Sequence, residues 1–391
     1  MNIVYLTLVD ISQPTGPGTN ELEFITTLQK VINIDNSKLH VITNELKSPL
    51  SRKIENHHCL IKKPLLIKGL SRFSLQWQYS FRFNSVIRSI EKEFGEIDLV
   101  ISRFDSKWLF PILKKMEKRN IPFVIRHFHA DLAKLSYNQA SLLNLLGKAI
   151  SIDTTWESKF KELKSLKINN VCLQHNSVNT EVFNLRDREK HRKIFLKDKF
   201  EFVIGYIGGF PLERGALELI ELAGLLIKSN PKIGFLCIGD SKLKNDSHYG
   251  KIKELVREKS LENNFILQGY LPYEEIPQYF HLVDIGLALV PKEIALKYGN
   301  SSQKIFQYIA SGAIAIVPEG TNQFLVEKGL AVSYEYEKGI KGLLGNVQGI
   351  LSQSLPQLKY SRQERFEIIK DDHSKYLSLI HISEPTRQAE I

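Results

Sequence analysis

Short apolar segments alternate with helical patterns along the whole chain, and this alternation limits the fold more than any other feature. In the first half, segments typical of buried strands occupy residues 2–9, 40–43, 98–102, 122–125, 148–152 and 171–174. In the second half they occupy residues 202–207, 233–238, 264–267, 285–290, 313–317 and 331–334. Strands that alternate with helices predict parallel sheets covered by helices on both faces. We therefore expect an α/β protein of two tandem, doubly wound, Rossmann-like domains that face a cleft.

The domain limits follow from length and charge. A chain of 391 residues is long enough for two domains, and the highly charged segment 186–199 marks a linker between them. We predict an N-terminal domain over residues 1–185 and a C-terminal domain over residues 186–360. Residues 378–391 break the helical pattern before them and resemble a translated sequencing-adapter read, so we expect a non-native tail there.

Composition limits the location and the partners of the protein. The three cysteines are far apart and form no CxxC pair, which fits a reducing compartment and argues against a disulfide framework or a zinc site. The first residues lead straight into a strand, and no apolar run is as long as a membrane span. We therefore predict a cytoplasmic protein. The net charge of +10 suits an anionic partner, although the scattered cations form no nucleic-acid motif.

Residues 60–73 combine apolar side chains with lysine and arginine. Such a segment can lie on a membrane surface, which predicts peripheral contact with the inner face of the membrane. Pro64 and Gly69 interrupt the amphipathic pattern, so a solvated loop at the domain edge is the alternative.

The segment 298–320 reads as loop, helix, glycine stop and strand. Ser301 and Ser302 suit the start of the helix, and Gly312 suits its end. A helix that begins after such a loop directs backbone N–H groups and its positive dipole at an anion, above all a phosphate. The alternative is an ordinary helix on the surface of the sheet.

Glycines follow the first strand of the first domain. Gly16 and Gly18 lie in a turn-rich loop, and Asn20 is predicted to cap the helix after it. A glycine-containing loop between a strand and a helix can cradle a phosphate or a sugar. The pattern is not GxGxxG, so a plain turn is the alternative.

Basic side chains follow two later strands of the first domain. Arg103 follows one predicted strand, and Arg126 and His129 follow another. Ligands of open α/β sheets bind at the carboxyl ends of strands. Either arginine could therefore meet a phosphate, and His129 could act as a general base or bind a substrate oxygen. The alternative for His129 is a hydrogen-bonded structural residue.

The first turn of the second domain combines glycines with an arginine. Gly208 and Gly209 allow a close approach of the backbone, and Arg214 lies at the start of the next helix. Cations are disfavoured at that helix end, so a diphosphate ligand explains Arg214 better than a structural role does. Gly239 and Tyr270 follow the next two strands, where backbone groups could contact a nucleobase, and plain turns are the alternative.

The order of these segments resembles family 4 of the nucleotide-sugar glycosyltransferases, which have the two-domain GT-B fold. Residues 175–183 (HNSVNTEVF) resemble the family's NGVDxxxF stretch at the interdomain crossover. Residues 205–220 (GYIGGFPLERGALELI) resemble its GRLxxxKGxxxLI segment, with Arg214 at the lysine position. Three further segments follow in the family's order, namely IGD, QGYLPYEEIPQYFHLVDIGLAL and IASGAIAIV. The resemblance extends over about residues 1–375. It implies that a final helix over residues 361–377 crosses back to the first domain.

Two departures from the family pattern concern the donor site. Gly209 stands where the family usually has an arginine that binds the diphosphate. The family's Glu-x7-Glu pair falls on Gly299 and Gln307, so both carboxylates are missing. Gln307 can still accept one hydrogen bond and donate two, but without charge. Lys304 is the residue expected to compensate for the missing arginine.

The resemblance implies a retaining, metal-independent glycosyltransferase that moves a hexose from a nucleoside diphosphate sugar to a hydroxyl group. The leaving diphosphate would meet Arg214, Lys304 and the N–H groups near Ser301 and Ser302, and Gln307 would hold the ribose. The nucleoside diphosphate sugar is then a co-substrate, and no cofactor or metal is expected. No Asp-x-Asp motif is present that could hold a catalytic Mg²⁺ on the diphosphate.

The acceptor is expected to be a growing surface glycan or a lipid-linked sugar, which implies a role in surface polysaccharide biosynthesis. The loop from Gly16 to Asn20, Arg103 and His129 would line the acceptor side. The missing carboxylates keep a second hypothesis open, a non-catalytic subunit that binds a sugar nucleotide or a glycan. A nucleic-acid-binding protein, suggested only by the net charge, is the weakest of the three.

Overall fold

The structure is a computed structural model that describes most of the chain in two compact units. The described residues are 1–11, 16–34, 37–44, 54–60, 71–104, 109–130, 132, 139–208, 216–239, 248–269, 271–293, 295, 302–355 and 359–373. Met1–His175 belong to the first unit, and Asn176–Ser374 form the second. The predicted domain limits at 185 and 360 stay predictions.

The first unit contains a seven-stranded parallel sheet with the strand order β3-β2-β1-β4-β5-β6-β7. Its strands are β1 (Asn2–Leu6), β2 (Lys38–Thr43), β3 (His57–Cys59), β4 (Leu99–Arg103), β5 (Phe123–Arg126), β6 (Ser151–Thr154) and β7 (Val171–Leu173). Its helices are α1 (Gly16–Ile34), α2 (Ser71–Phe94), α3 (Phe110–Lys118), α4 (Gln139–Lys148) and α5 (Glu157–Ser165).

The second unit contains a six-stranded parallel sheet with the order β10-β9-β8-β11-β12-β13. Its strands are β8 (Phe202–Ile207), β9 (Ile233–Ile238), β10 (Phe265–Gln268), β11 (Ile285–Leu287), β12 (Ile314–Pro318) and β13 (Ala331–Tyr334). Its helices are α6 (Arg188–Leu196), α7 (Ala216–Leu226), α8 (His248–Glu258), α9 (Ile276–Phe280), α10 (Gln303–Ala310), α11 (Gln323–Glu327), α12 (Gly339–Leu351) and α13 (Arg362–His373).

Both faces of each sheet are buried. Along β1, Val4 and Leu6 pack into one apolar core, whereas Ile3 and Tyr5 pack into another. This division follows from the alternation of side chains between the two faces of a strand. Two separate cores also flank the second sheet. Continuous apolar strands are therefore required, because neither face of a parallel sheet is exposed to water.

The predicted fold class is confirmed, since both halves of the chain form parallel, doubly wound α/β sheets. Several bounds differ from the sequence prediction; for example, β1 ends at Leu6 and β11 at Leu287, earlier than predicted. Strand β3 was not predicted, because its sequence His57–Cys59 has no apolar pattern. Strand β6 begins at Ser151 and not at Lys148, because Lys148 is the last residue of α4.

A buried carboxylate joins the first and last helices of the second unit to the amino edge of its sheet. Asp284 directly precedes β11 and accepts hydrogen bonds from Arg188 (2.7 Å), Arg192 (2.9 Å) and Arg362 (2.6 Å). It also accepts one from the backbone N–H of Val203 (2.8 Å). Burial alone would raise the pKa of Asp284, but the three arginines outweigh it and lower the pKa.

The final helix α13 packs against α10 within the second unit. The predicted return of residues 361–377 to the first domain stays a prediction, and residues 374–391 lie outside the described part of the chain. Residues 61–70, the centre of the basic and apolar segment, also lie outside it. No helix among the described residues is long and apolar enough to span a bilayer.

Candidate functional site

The strand order reverses between β8 and β11 in the second unit, and ligands of open α/β sheets bind at the carboxyl edge of such a point. Gly208 follows β8 with a φ angle of +144°, and Gly239 follows β9 with a φ angle of +135°. Residues with a Cβ atom rarely adopt such positive φ angles. Gly208 and Gly239, two of the predicted donor-site glycines, thus shape the turns at the carboxyl edge.

Helix α10 brings a cation to the same edge. Ser302 is its N-cap residue, and Lys304 lies in its first turn. The Lys304 Nζ lies 4.2 Å from the centre of the Tyr206 ring on β8, a cation–π contact. A Cβ atom on Gly208 would lie 3.8 Å from the same Nζ. The structure therefore brings together Gly208, Lys304 and Ser302, three of the predicted donor-site residues.

Tyr308 fixes the position of α10 against the sheet. Its hydroxyl accepts a hydrogen bond from the Ile207 N–H (2.8 Å) and donates one to the Gly205 carbonyl (3.2 Å). Its ring lies on Gly286 of β11, where an added Cβ would lie 2.3 Å from the ring. Burial raises the pKa of Tyr308 well above its ordinary value, so the hydroxyl keeps its proton. Tyr308 therefore also fixes the position of Lys304, one helical turn earlier, relative to β8.

Gln307 lies one turn after Lys304 on the same side of α10 and is 8% exposed. Within the described ranges, no hydrogen bond of its side-chain amide is found. Its amide can accept and donate hydrogen bonds and is therefore available to a polar ligand. The predicted contact with a ribose stays a prediction.

The carboxyl edge of the first sheet is filled by an ionic cluster that the sequence analysis did not predict. The fully buried Glu21 of α1 accepts hydrogen bonds from Arg103 (2.7 Å), from Arg126 and from the Tyr5 hydroxyl (2.5 Å). The Arg126 guanidinium also lies 3.6 Å from the centre of the Phe24 ring. Burial would raise the pKa of Glu21, but Arg126 and Arg103 lower it to about 2. A phosphate at either arginine would have to compete with Glu21.

The predicted loop from Gly16 to Asn20 is wrong, because α1 already begins at Gly16. Pro17 is compatible with the first turn of a helix, where its missing N–H is not needed. Gly18 and Asn20 consequently lie within the helix, and Asn20 cannot be its N-cap. Their acceptor-side role, like that of Arg103, stays a prediction.

His129 lies beyond the end of β5, and its side chain contacts Thr155 and Trp156 after β6. Its Nε2 lies 2.9 Å from the Thr155 Oγ1 and 3.4 Å from the Thr155 backbone N. Its ring stacks on Trp156 with centres 4.1 Å apart and planes 3° apart. Burial lowers the pKa of His129 to about 3, and the charges of Arg103 and Arg126 add to the effect. A pKa this low favours binding of a substrate oxygen over general-base catalysis.

Asp153 of β6 was missed as a site residue, although an aspartate inside a buried strand is an unusual signal. Its Oδ1 accepts a hydrogen bond from the His127 N–H (2.7 Å), and its carbonyl accepts one from the Phe128 N–H (2.8 Å). Burial raises the pKa of Asp153 to about 6. These bonds hold the turn before His129, in which His127 has a left-handed φ of 50°.

Several predicted site residues lie outside the described part of the chain, namely Gly209, Arg214, Tyr270 and Ser301. Gly299, where the resemblance predicts a carboxylate, lies outside it as well. Among the described residues, no group of three His, Cys, Asp or Glu side chains could hold a metal ion.

Comparison with known proteins agrees with this architecture. Residues 187–292 match the model of the family described as "Glycosyl transferases group 1". This segment includes β8, β9, β10 and β11, and with them Gly208 and Gly239. No curated protein sequence matches the chain significantly.

Solved structures match nearly the full length of the chain. Anabaena Alr3699/HepE, crystallised with UDP and glucose, matches with a TM-score of 0.69 and 14% identity over 99% of each chain. A glycosyltransferase from Rickettsia africae matches with a TM-score of 0.71 and 15% identity over 98% of each chain. Sucrose-phosphate synthase from Thermosynechococcus elongatus matches with a TM-score of 0.68 and 13% identity over 100% of this chain and 99% of its own. At these identities the likeness shows the GT-B fold alone.

Proposed function

We propose that the protein is a glycosyltransferase that uses a nucleoside diphosphate sugar as donor. The match of residues 187–292 to glycosyl transferases group 1 carries this proposal, because the match lies on the strands that form the carboxyl edge around Gly208. A structural neighbour crystallised with UDP-glucose supports a nucleotide-sugar donor. The resemblance to family 4 adds retention of configuration and independence of metal ions to the proposal.

The donor diphosphate would bind between the turn at Gly208 and the start of α10. A glycine at 208 leaves space below the Lys304 ammonium, and Tyr308 holds the helix that carries it. As the sugar leaves, negative charge develops on the diphosphate. Lys304 and the N–H groups after Ser302 would stabilise that charge, and groups already in place need no reorganisation as the charge develops. Arg214 would add a second cation.

The acceptor would bind at the carboxyl edge of the first sheet near His129. A growing surface glycan or a lipid-linked sugar is the acceptor that the resemblance suggests, which would link the protein to surface polysaccharide biosynthesis on the inner face of the membrane. The second candidate is a non-catalytic subunit that binds a sugar nucleotide. The neutral Gln307 at a family carboxylate position favours it, because a neutral amide forms weaker hydrogen bonds to hydroxyl groups.

The proposal is tested by nucleotide binding and transfer. We expect one of UDP, GDP or ADP to raise the Tm of the protein. At a nucleotide concentration of a hundred times the Kd, binding should add about 2.7 kcal/mol to the free energy of unfolding. Lys304→Met should weaken binding about tenfold to a hundredfold, since a hydrogen bond to a charged group contributes about 1.5–3 kcal/mol. The control is Lys370→Met on α13, which removes a surface lysine paired with Glu367.

Transfer from the matching nucleotide sugar should continue in EDTA, and NMR of the product should show the anomeric configuration of the donor. Nucleotide binding without transfer to any acceptor would favour the non-catalytic subunit. If no nucleotide changes the Tm of the folded protein, the donor site does not exist and the proposal is wrong.

A further inference from the structure

The imidazole of His129 has one nitrogen engaged by the protein and one that is accessible. Its Nε2 faces both the backbone N–H (3.4 Å) and the hydroxyl (2.9 Å) of Thr155. A backbone N–H can only donate, so Nε2 must accept. The proton of the neutral ring is then on Nδ1. Within the described part of the chain, Nδ1 has no hydrogen-bond partner, and the residue is only partly buried.

The surroundings of His129 oppose a positive charge on the ring. Arg103 of β4, Arg126 of β5 and Lys159 of α5 all disfavour protonation, and burial has the largest effect. The two arginines are held in place by the buried Glu21, so they cannot turn away. Lys159 is held likewise by an ion pair with Glu162.

Trp156 limits the orientation of the ring. The two rings are stacked with planes 3° apart, so rotation of the imidazole about χ2 would break the stack. A 180° flip, which keeps the ring planes parallel, would place the Cε1–H in place of Nε2 at the N–H of Thr155, which would then lose its acceptor. Thr155 and Trp156 are thus positioning residues, since they act through His129.

We infer that Thr155 and Trp156 hold His129 as a neutral Nδ1–H donor, and that this donor binds an uncharged oxygen of the sugar acceptor. An uncharged oxygen is favoured over a phosphate because the described arginines of this edge already bind Glu21. This inference rests on the proposed function for the identity of the substrate, but the state of the ring does not depend on it.

The state of the ring is measured by NMR of the full chain labelled with ¹⁵N-histidine, with His129→Asn for assignment. We expect a protonated Nδ1 and an unprotonated Nε2, both unchanged from pH 8 down to pH 5, since the pKa of His129 is about 3. An ordinary histidine titrates near 6.5 in this range. A proton on Nε2, or a titration between pH 5 and pH 8, overturns the inference.

Thr155→Val tests the role of the hydroxyl. The side chain keeps its shape and the backbone N–H still faces Nε2, but the hydroxyl contact is lost, so the pKa of His129 should rise and the Nε2 signal should shift. Thr155→Ser restores the hydroxyl and should restore the wild-type spectrum. If Thr155→Val gives the wild-type spectrum while circular dichroism shows a folded protein, Thr155 does not position the ring.

Transfer activity distinguishes a donor from a base. Loss of a neutral hydrogen bond in His129→Ala should lower kcat/KM by about tenfold, whereas loss of a general base costs about a hundredfold to ten-thousandfold. His129→Asn, which can donate but not take up a proton, should lose less activity than His129→Ala. A loss above a hundredfold in both variants overturns the inference. If His129 shows the expected tautomer but the protein neither binds nucleotides nor transfers sugar, the proposed function and its sugar acceptor are wrong, whereas the state of the ring is confirmed.

Discussion

The two sheets share one strand order except for the additional strand β7 of the first sheet, yet their buried carboxylates lie at opposite edges. Glu21 lies at the carboxyl edge of the first sheet, where it neutralises the arginines that end β4 and β5. Asp284 lies at the amino edge of the second sheet, where it binds arginines from α6 and α13. Among the described residues of the second unit, the carboxyl edge carries glycine turns and Lys304, and the buried carboxylate lies at the other edge. An arginine that follows a strand thus indicates a ligand only if no buried carboxylate lies beside it.

The largest expected effect tests the cluster of the first unit. Glu21→Gln leaves two buried arginines without a counter-charge, so we expect the free energy of unfolding to fall by about 3–5 kcal/mol in urea denaturation. The matched control is Glu117→Gln, which removes a surface ion pair to Lys148 and should have little effect. Equal effects of the two variants would mean that other groups compensate the arginines, and the contrast between the two edges would fail.

The next effect tests the rigid support of the second edge. In Gly286→Ala the new methyl group would collide with the ring of Tyr308, so we expect a loss of about 1–3 kcal/mol of stability. Gly224→Ala in α7 is the control, because its Cβ meets open space and alanine favours a helix by about 0.5–1 kcal/mol. If Gly286→Ala is as stable as Gly224→Ala and binds nucleotide equally well, Tyr308 does not fix α10.

The smallest effect sharpens the chemistry of Gln307. A neutral amide should discriminate weakly between UDP and 2′-deoxy-UDP, whereas a carboxylate forms hydrogen bonds to hydroxyl groups that are about twice as strong. We expect Gln307→Glu to raise the ratio of the two Kd values about tenfold in calorimetry, which corresponds to about 1.4 kcal/mol. Gln303→Glu adds the same charge on the same helix and should leave the ratio unchanged. A ratio unaffected by Gln307→Glu would mean that this side chain does not meet the ribose.

Much of the fold was predictable, because parallel strands are buried on both faces and so need continuous apolar segments. The segment at 202–207 was predicted with the bounds that β8 has, and β3 was missed because its polar residues lack that signal. The start of α1 was placed too late, because Pro17 between two glycines resembles a turn as much as a first helical turn.

The candidate site was predictable in part. Lys304 and Gly208 are far apart in the chain. Their proximity was predictable because the turn after β8 and the start of α10 both lie at the carboxyl edge of the sheet. The partners of Arg103, Arg126 and His129 were not predictable, because Glu21 and Thr155 carry no local signal that relates them to these side chains.

The sequence by itself determined the alternation of strands and helices, the turns that need glycine and the supply of cations at strand ends. These properties depend on residues that are close along the chain, where periodicity and backbone conformation act. Only the tertiary structure decided which cations are neutralised inside the protein and which nitrogen of His129 keeps its proton. Charge pairing and protonation depend on distances and burial between residues such as Glu21 and Arg126, which only folding brings together.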